Sequence, residues 1–280
     1  MREVTCEQIT EAVKQLCMDA NYELGADVVT AFRKAAQTEE SAVGKEVIGQ
    51  LIANAEIAAA ERVPMCQDTG MGIFFVELGQ DCRITGGRLY DAINEGIRQG
   101  YGEGYLRASV VKDPLVRQNT GDNTPGVIHV ELVEGDRCTL HMAAKGFGSE
   151  NMSRLKMLKP SDGIEGAKDF IIETVKMAGP NACPPMVIGV GLGGTFEKSA
   201  YLAKKSLLRP LGQRHARADV AELEEELIQE INALGIGPQG MGGRTTALDV
   251  HIEVFATHIA GLPVAVNINC HASRHKTAVL

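Results

Sequence analysis

The sequence predicts a mixed α/β chain of the α+β kind, in which a helical N-terminal part packs on an α/β body containing antiparallel strands. Three observations predict it. Residues 5–62 carry apolar side chains at helical spacing. After Val63 the texture changes to short apolar runs separated by glycine-bearing loops. Residues 127–133 and 138–144, joined through Glu134-Gly135-Asp136, read as a hairpin, so antiparallel pairing is expected. The expected organisation is a helical subdomain, 1–62, and an α/β body, 63–280, forming together one functional unit.

The elements follow in order. Thr5 and Gln8 fit a capping box, and Ile9, Val13, Leu16, Ala20 and Leu24 make one apolar stripe. Gly25 ends that helix, and Asp27 is placed to cap a second containing Val28, Val29 and Phe32. A third runs from about Thr38 to Arg62, with Val43, Val47, Leu51, Ala55 and Ala58 on one face. Ile73–Leu78 reads as a strand, 89–101 as a helix, and Leu106–Val111 as a short strand carrying Arg107. A polar loop then fills 113–126. Residues 162–178 form a helix that stops at Gly179-Pro180. Met186-Val187-Ile188 is strand-like, and a glycine run, 189–194, leads into a helix at 195–208. Residues 217–234 form an acidic helix with a solvated face, and segments 246–255 and 262–268 read as strands.

Composition excludes several functions. The net charge is −8 with no compensating basic run, so no nucleic-acid partner is expected. No stretch approaches the roughly 18 apolar residues of a membrane span, and the N-terminus has no signal-peptide core. A cytoplasmic protein with reduced cysteines is expected. Seven cysteines at wide, irregular spacing do not suggest a disulfide framework; ligation or catalysis is the better use.

Three of those cysteines sit in loops with turn-forming neighbours. Cys66 precedes Gln67-Asp68-Thr69-Gly70, Cys183 precedes Pro184-Pro185, and Cys270 lies between Asn269 and His271. Cys6 and Cys17 lie on the first helix, Cys138 in a strand and Cys82 near a turn. A proline after cysteine recurs at iron–sulfur sites. Separations of 117 and 87 residues differ from paired zinc modules and from tight ferredoxin clusters. A four-iron cube held by three thiolates keeps an open iron, a Lewis acid able to polarise a carboxylate and a leaving hydroxyl. Buried structural cysteine is the competing use.

Several motifs recur together in one order: Cys66-Gln67-Asp68-Thr69-Gly70, Asn119 to Pro125 with Val127-Ile128-His129, Lys145-Gly146-x-Gly148-Ser149-Glu150-Asn151, Cys183-Pro184-Pro185, Ala233-Leu234-Gly235-Ile236-Gly237, Thr257-His258 and Asn269-Cys270. The chain closely resembles the α subunit, or N-terminal domain, of class I (iron–sulfur) fumarate hydratases, and the related L-tartrate dehydratase α subunit. The resemblance covers nearly the whole chain. It implies an oxygen-sensitive 4Fe-4S cluster on Cys66, Cys183 and Cys270, and reversible hydration of fumarate to malate. It also implies that Gln67 and Asp68 line the substrate, that Arg107 pairs a substrate carboxylate, and that Gly148 approaches through its backbone. His258 matches a histidine beside that pocket. Asp68 is the acid–base candidate. Phe147 departs from the family, which often has glycine at that position.

The family's single-chain members continue into a second domain that supplies further arginines, a lysine and the presumed catalytic threonine. A separate β subunit completing the site is therefore expected, in a dimer of αβ units acting on a small dicarboxylate. Other readings compete. Gly189, Gly191 and Gly194 match G-x-G-x-x-G, which would suggest a nicotinamide nucleotide, but no strand ending in Asp or Glu follows at the required distance. A cluster- or zinc-holding structural or redox-sensing protein would use the same cysteines without turnover. The 235–243 glycine loop could cradle an anion, and His271 and His275 could approach the cluster.

Overall fold

Thr5 caps the first helix as the sequence reading expects: its hydroxyl accepts the Gln8 N–H, and the Gln8 side chain returns to the Thr5 N–H. This is seen in a computed structural model that describes residues 2–280. The chain divides into two compact units, the first made of Met1–Gly25, Asn54–Phe147 and Arg274–Leu280, the second of Ala26–Ala53 and Gly148–Ser273. The fold is α+β, with both parallel and antiparallel strand pairs in its sheets.

In unit 1, α1 (Cys6–Tyr22) buries Ile9, Val13, Leu16 and Ala20 against α4 (Leu89–Glu103) and a four-stranded sheet. Gly96 and Gly100 let the two helices touch: a Cβ at Gly96 would stand 2.6 Å from the Thr10 carbonyl oxygen. The sheet consists of β2 (Met71–Gly79), β4 (Val127–Val133), β5 (Cys138–Lys145) and β10 (His275–Val279), in the order β10-β5-β2-β4. Phe74, Val76, Leu140 and Met142 supply its buried face. A further pair, β1 (Arg2–Thr5) and β3 (Cys82–Thr85), is parallel and went unread because each strand has only four residues.

The hairpin expected from 127–144 does not form. Both strands exist, but β2 lies between them, parallel to β4 and antiparallel to β5. The connection crosses the end of β2 instead: the Gly79 N–H donates to Arg137 O and the Asp81 N–H to Gly135 O. A Cβ on Gly79 would overlap the Gly135 carbonyl. The strand expected at Leu106–Val111 is also absent beyond one bridge from Val111 to Asn119. Its backbone is claimed by a side chain, because Asn123 Oδ1 accepts the N–H groups of Ser109 and Val110.

In unit 2, β6 (Arg154–Leu158), β7 (Met186–Gly193), β8 (Ala247–Phe255) and β9 (Leu262–Asn269) form a sheet ordered β6-β9-β7-β8. The strand β7 is parallel to β8 and antiparallel to β9. The helices α6 (Gly163–Ala178) and α8 (Ala218–Asn232) bury Phe170, Ile171, Val175, Leu223, Leu227 and Ile231 on it. The glycine run belongs to β7 and is no phosphate turn. A Cβ at Gly189 or Gly191 would overlap the Ala203 or Ser199 carbonyl of α7 (Phe196–Ser206). These glycines exist so that a helix backbone can lie on a strand, and the nicotinamide reading loses its only support.

Three smaller expectations also change. Asp27 lies inside α2 (Ala26–Thr38), with its carboxylate on the Leu211 N–H, and does not cap it. In α3 (Ala42–Glu61) the buried line runs through Gly44, Ile48, Ala55 and Ala58, while Val43 is 52% exposed. Gly44 faces inward because Glu39 fills the space beside it. The acidic α8 buries Glu224, which accepts from Arg209, the His215 N–H and the Ile252 N–H. Among the described residues no helix is long and apolar enough to cross a membrane.

Candidate active site

The Cys66 loop is a loop, as Pro64 and Gly70 predict, and it runs straight into β2. Gly70 has φ +76°, and its position against the Lys145 carbonyl leaves no room for a Cβ. Behind the loop, Met65 is held at both backbone groups: its N–H donates to Asn21 O, and its carbonyl accepts Asn54 Nδ2 at 2.9 Å. Arg274, 3% exposed, donates to Asp68 O at 2.7 Å and to Asn21 Oδ1 at 3.0 Å. The Asp68 carboxylate accepts the Gly70 N–H on Oδ1 and the Phe147 N–H on Oδ2, at 3.0 and 2.8 Å. Each oxygen keeps a lone pair for a further partner.

Arg107 is fastened to the same loop. Its N–H donates to Thr69 Oγ1 at 3.0 Å, and that hydroxyl donates back to Arg107 O at 3.1 Å. Buried Tyr101 donates to Thr69 O and Gly70 O, and burial pushes its phenol well above the usual range. Asn123 Nδ2 completes the clasp on Gly70 O. The guanidinium of Arg107 is exposed and has no ion-pair partner among the described residues. Unit 1 thus brings Cys66, Gln67, Asp68 and Arg107 onto one braced loop system. The bracing roles of Asn21, Tyr101, Asn123 and Arg274 are not legible in the sequence, because each acts across dozens of residues.

Unit 2 gathers the other two cysteines. Strand β7 begins at Met186 and its antiparallel neighbour β9 ends at Asn269, with Val187 opposite Asn269. That register puts the segment before β7, with Cys183, beside the segment after β9, with Cys270. The His271 N–H donates to Cys183 O at 3.2 Å. Cys183 is exposed and left-handed at φ 53°, and Cys270 is half-buried. Gly148 opens toward Asn181 O, just before Cys183: a Cβ there would be 3.7 Å away. The loop expected around it forms a short helix, α5 (Phe147–Glu150), whose Glu150 bonds Lys204 and Asn267.

His258 stands elsewhere. It lies in the exposed turn between β8 and β9, beyond the end of β7 opposite to Cys183. Eight strand residues separate those ends, roughly 25 Å. No N–H of the 235–243 loop donates to the anion beside it, Glu39, whose Oε1 would lie 2.6 Å from a Cβ at Gly243. Glu39, 2% exposed, accepts the N–H groups of Glu40, Ser41, Arg244 and Thr245. Burial alone would raise its carboxyl; those donors prevail and hold it at about 2.

The thiols divide by environment. Cys17 and Cys138 are fully buried, which pushes the Cys17 thiol far up and that of Cys138 to about 11. Neither is suited to supply a thiolate. The other five, Cys6, Cys66, Cys82, Cys183 and Cys270, are all at least partly accessible. Among the described residues no group of three or more His, Cys, Asp or Glu side chains is placed to hold a single metal ion. A cube spreads its thiolates over separate irons, so they need not converge on one point. Thiols at least partly open to solvent, as at Cys66, Cys183 and Cys270, are the kind of donor such a group takes.

A family model described as fumarate hydratase (Fumerase) matches residues 10–279. A Methanocaldococcus jannaschii protein, provisionally named L(+)-tartrate dehydratase subunit alpha, is 44% identical over 274 residues, covering 95% of this chain and 95% of its own length. The L(+)-tartrate dehydratase subunit alpha of Escherichia coli strain K12 is 33% identical over 276 residues, 98% of this chain and 91% of that one. That of strain UTI89 is 33% identical over 273 residues, 96% of this chain and 90% of that one.

Proposed function

Because the chain belongs to the fumarate hydratase (Fumerase) family, we propose that it is the α subunit of an iron–sulfur hydro-lyase that reversibly hydrates fumarate to (S)-malate. The observation that carries this reading is the Arg107 brace, which holds a guanidinium with no ion-pair partner among the described residues on the loop of Cys66, Gln67 and Asp68. A planar fork with two parallel donors suits a carboxylate better than any other cation. A second reading has its own support. The relatives at 33–44% identity are named L(+)-tartrate dehydratase subunit alpha, so dehydration of tartrate to oxaloacetate is the alternative.

In this proposal Cys66, Cys183 and Cys270 hold a 4Fe-4S cluster whose open iron, when bound, polarises the substrate hydroxyl and an adjacent carboxylate. The protein's own residues do the rest. Arg107 anchors a carboxylate, Gln67 offers an amide to the substrate's polar groups, and Gly148 allows a close backbone approach. Asp68, oriented by two N–H donors, accepts or returns the proton at carbon, or orients the group that does. At its own end of the sheet His258 is too far from Cys183 to serve the same copy. Any role at the substrate requires a second copy, in keeping with a dimer of αβ units.

A dicarboxylate carries two negative charges, and burying it calls for a cation at each end. The other arginines that could close the site are engaged: Arg154 pairs with Glu173 at 3.3 Å, Arg244 with Glu40 at 2.7 Å, and Arg274 is buried on Asp68 O. A separate β subunit, as the relatives' naming as alpha subunits suggests, would supply the rest. The test is to rebuild the cluster anaerobically in the chain alone and with the β subunit, then assay fumarate and tartrate. Hydration of fumarate only with both chains is the expected result. Full activity of the single chain overturns the split site, and turnover of tartrate alone replaces the substrate.

A further inference from the structure

The segment around Arg107 carries features that the chemistry of the site does not use. Tyr105 is 92% exposed and holds a left-handed backbone, φ +51°, a conformation that bulky side chains rarely adopt. Beyond Arg107 the chain turns back on itself. The Lys112 N–H donates to Gln118 O at 2.8 Å, the Thr120 N–H donates to Val110 O at 2.9 Å, and Val111 bridges Asn119. Asp113 Oδ1 fixes the tip of this turn by accepting the N–H groups of Leu115 and Val116, at 2.8 and 2.7 Å. The two side chains displayed there are 90% and 78% exposed. In the same segment Arg107, Lys112 and Arg117 are exposed cations with no ion-pair partner among the described residues, in a chain of net charge −8. Single exposed apolar residues are ordinary on a surface. A strained, exposed aromatic and a braced apolar tip, accompanied by unpaired cations, call for a partner.

We propose that residues 105–117 form the docking surface for the β subunit, with Tyr105, Leu115 and Val116 as apolar anchors and Lys112 and Arg117 meeting carboxylates of the partner. This rests on the reading of the chain as an α subunit whose site is split between two chains. Position argues for that occupant. The two carboxylates of a small diacid are joined through a short carbon chain, so the cation holding the second must come close to Arg107. The chain that supplies it must therefore rest on the surface flanking Arg107. Buried Leu106 and Val110 root this stretch, and Asn119 Nδ2 donates to Ala108 O at 3.0 Å. Asn119 is four residues from Leu115, which keeps the tip within about 20 Å of Arg107. A footprint of about 800 Å² is roughly 30 Å across, so one subunit covers the mouth of the site and the tip together. Rigidity argues the same way. A turn already ordered by its own hydrogen bonds gives up little freedom on binding, and tyrosine is a frequent anchor of interfaces. The unpaired cations select a partner face that carries carboxylates, and they act chiefly on association rate and salt dependence.

The test measures assembly of the full chain with the β subunit by sedimentation velocity across a range of salt concentrations. Leu115→Ser with Val116→Ser removes the apolar groups of the tip. Tyr105→Gly removes the ring and relieves the left-handed backbone. All three positions are exposed, so the urea midpoint of the chain alone should not fall. Affinity for the β subunit should drop about tenfold in each variant, while kcat at saturating β subunit keeps its wild-type value. Lys112→Gln with Arg117→Gln should flatten the salt dependence of assembly. Wild-type affinity in the tip and Tyr105 variants overturns the proposal. Unchanged affinity with a lowered kcat/KM does so too, because these side chains would then be substrate contacts. Loss of a dimer of this chain, with β-subunit binding intact, assigns the face to a second copy and also overturns it. A wild-type chain that binds no β subunit sinks the split-site reading and this surface with it. Normal assembly of the wild type, weakened in the variants, supports both.

Discussion

At the scale of single residues, thiol environment and arginine geometry decide the chemistry. Cys66→Ser, Cys183→Ser and Cys270→Ser should each abolish the visible absorption of the rebuilt cluster. Cys17→Ser, at a buried position whose thiol is held protonated, should leave it nearly intact. Cluster loss in the Cys17 variant with retention in the Cys183 variant would refute the assignment. Arg107→Lys keeps the charge and loses the fork. The expected cost is on the order of 1.5–3 kcal/mol in kcat/KM, carried by a raised KM and a reduced kcat. Steady-state kinetics of the αβ enzyme check this, and wild-type values would remove Arg107 from the site.

At the scale of elements, glycine-mediated contact between backbones governs β7 and α7. In Gly191→Ala the new methyl meets the Ser199 carbonyl, backbone that cannot swing aside. A loss of about 1–3 kcal/mol or more is expected, read as a lower denaturation midpoint of the chain. Gly49→Ala in α3 is the matched control, since a Cβ there meets nothing within 4 Å. It should be neutral or stabilising by about 0.5–1 kcal/mol. Equal behaviour of the two variants would show that the close approach is not what the strand glycines provide. Such elements were legible as to kind: the capping box at Thr5, the helix ending at Gly179 and the strand at 247–255 follow from neighbours in sequence. Their partners were not.

At the scale of the whole molecule, unit 2 is tied together by carboxylates that must stay ionised. Burial would raise Glu39 above its ordinary 4.5, but the N–H groups of Ser41, Arg244 and Thr245, with the Thr245 side chain, hold it at about 2. Burial would also raise Asp249, but His251 and Arg214 beside it, with the Gly212 N–H, bring it to about 2 from 3.8. A carboxyl that is more acidic in the folded state binds fewer protons there than when unfolded. Its stabilisation is therefore complete above about pH 4.5 and is lost as pH falls toward 2. Urea midpoints should drop steeply across that window, and Glu39→Gln should flatten the slope while lowering stability at neutral pH. An unchanged slope in that variant would show that Glu39 does not carry the acid response.

The sequence by itself determined the α+β class, the kinds of most elements, the loop character of the Cys66 stretch and the three cysteines set apart by their turn-forming neighbours. All of that is local chemistry: period, caps, prolines and glycines act on residues a few positions away. Only the tertiary structure decided that β2 separates β4 from β5, because strand order depends on which edges and faces compete for burial, not on the turn between two runs. It alone showed that Gly189 and Gly191 receive a helix and not a phosphate, since a missing Cβ is the same letter for both uses. The meeting of Cys183 with Cys270 likewise arises from the antiparallel register of β7 on β9, and His258 stands at the far end of those same strands for the same reason. Register is a property of pairing between distant segments, and no window of the sequence contains both.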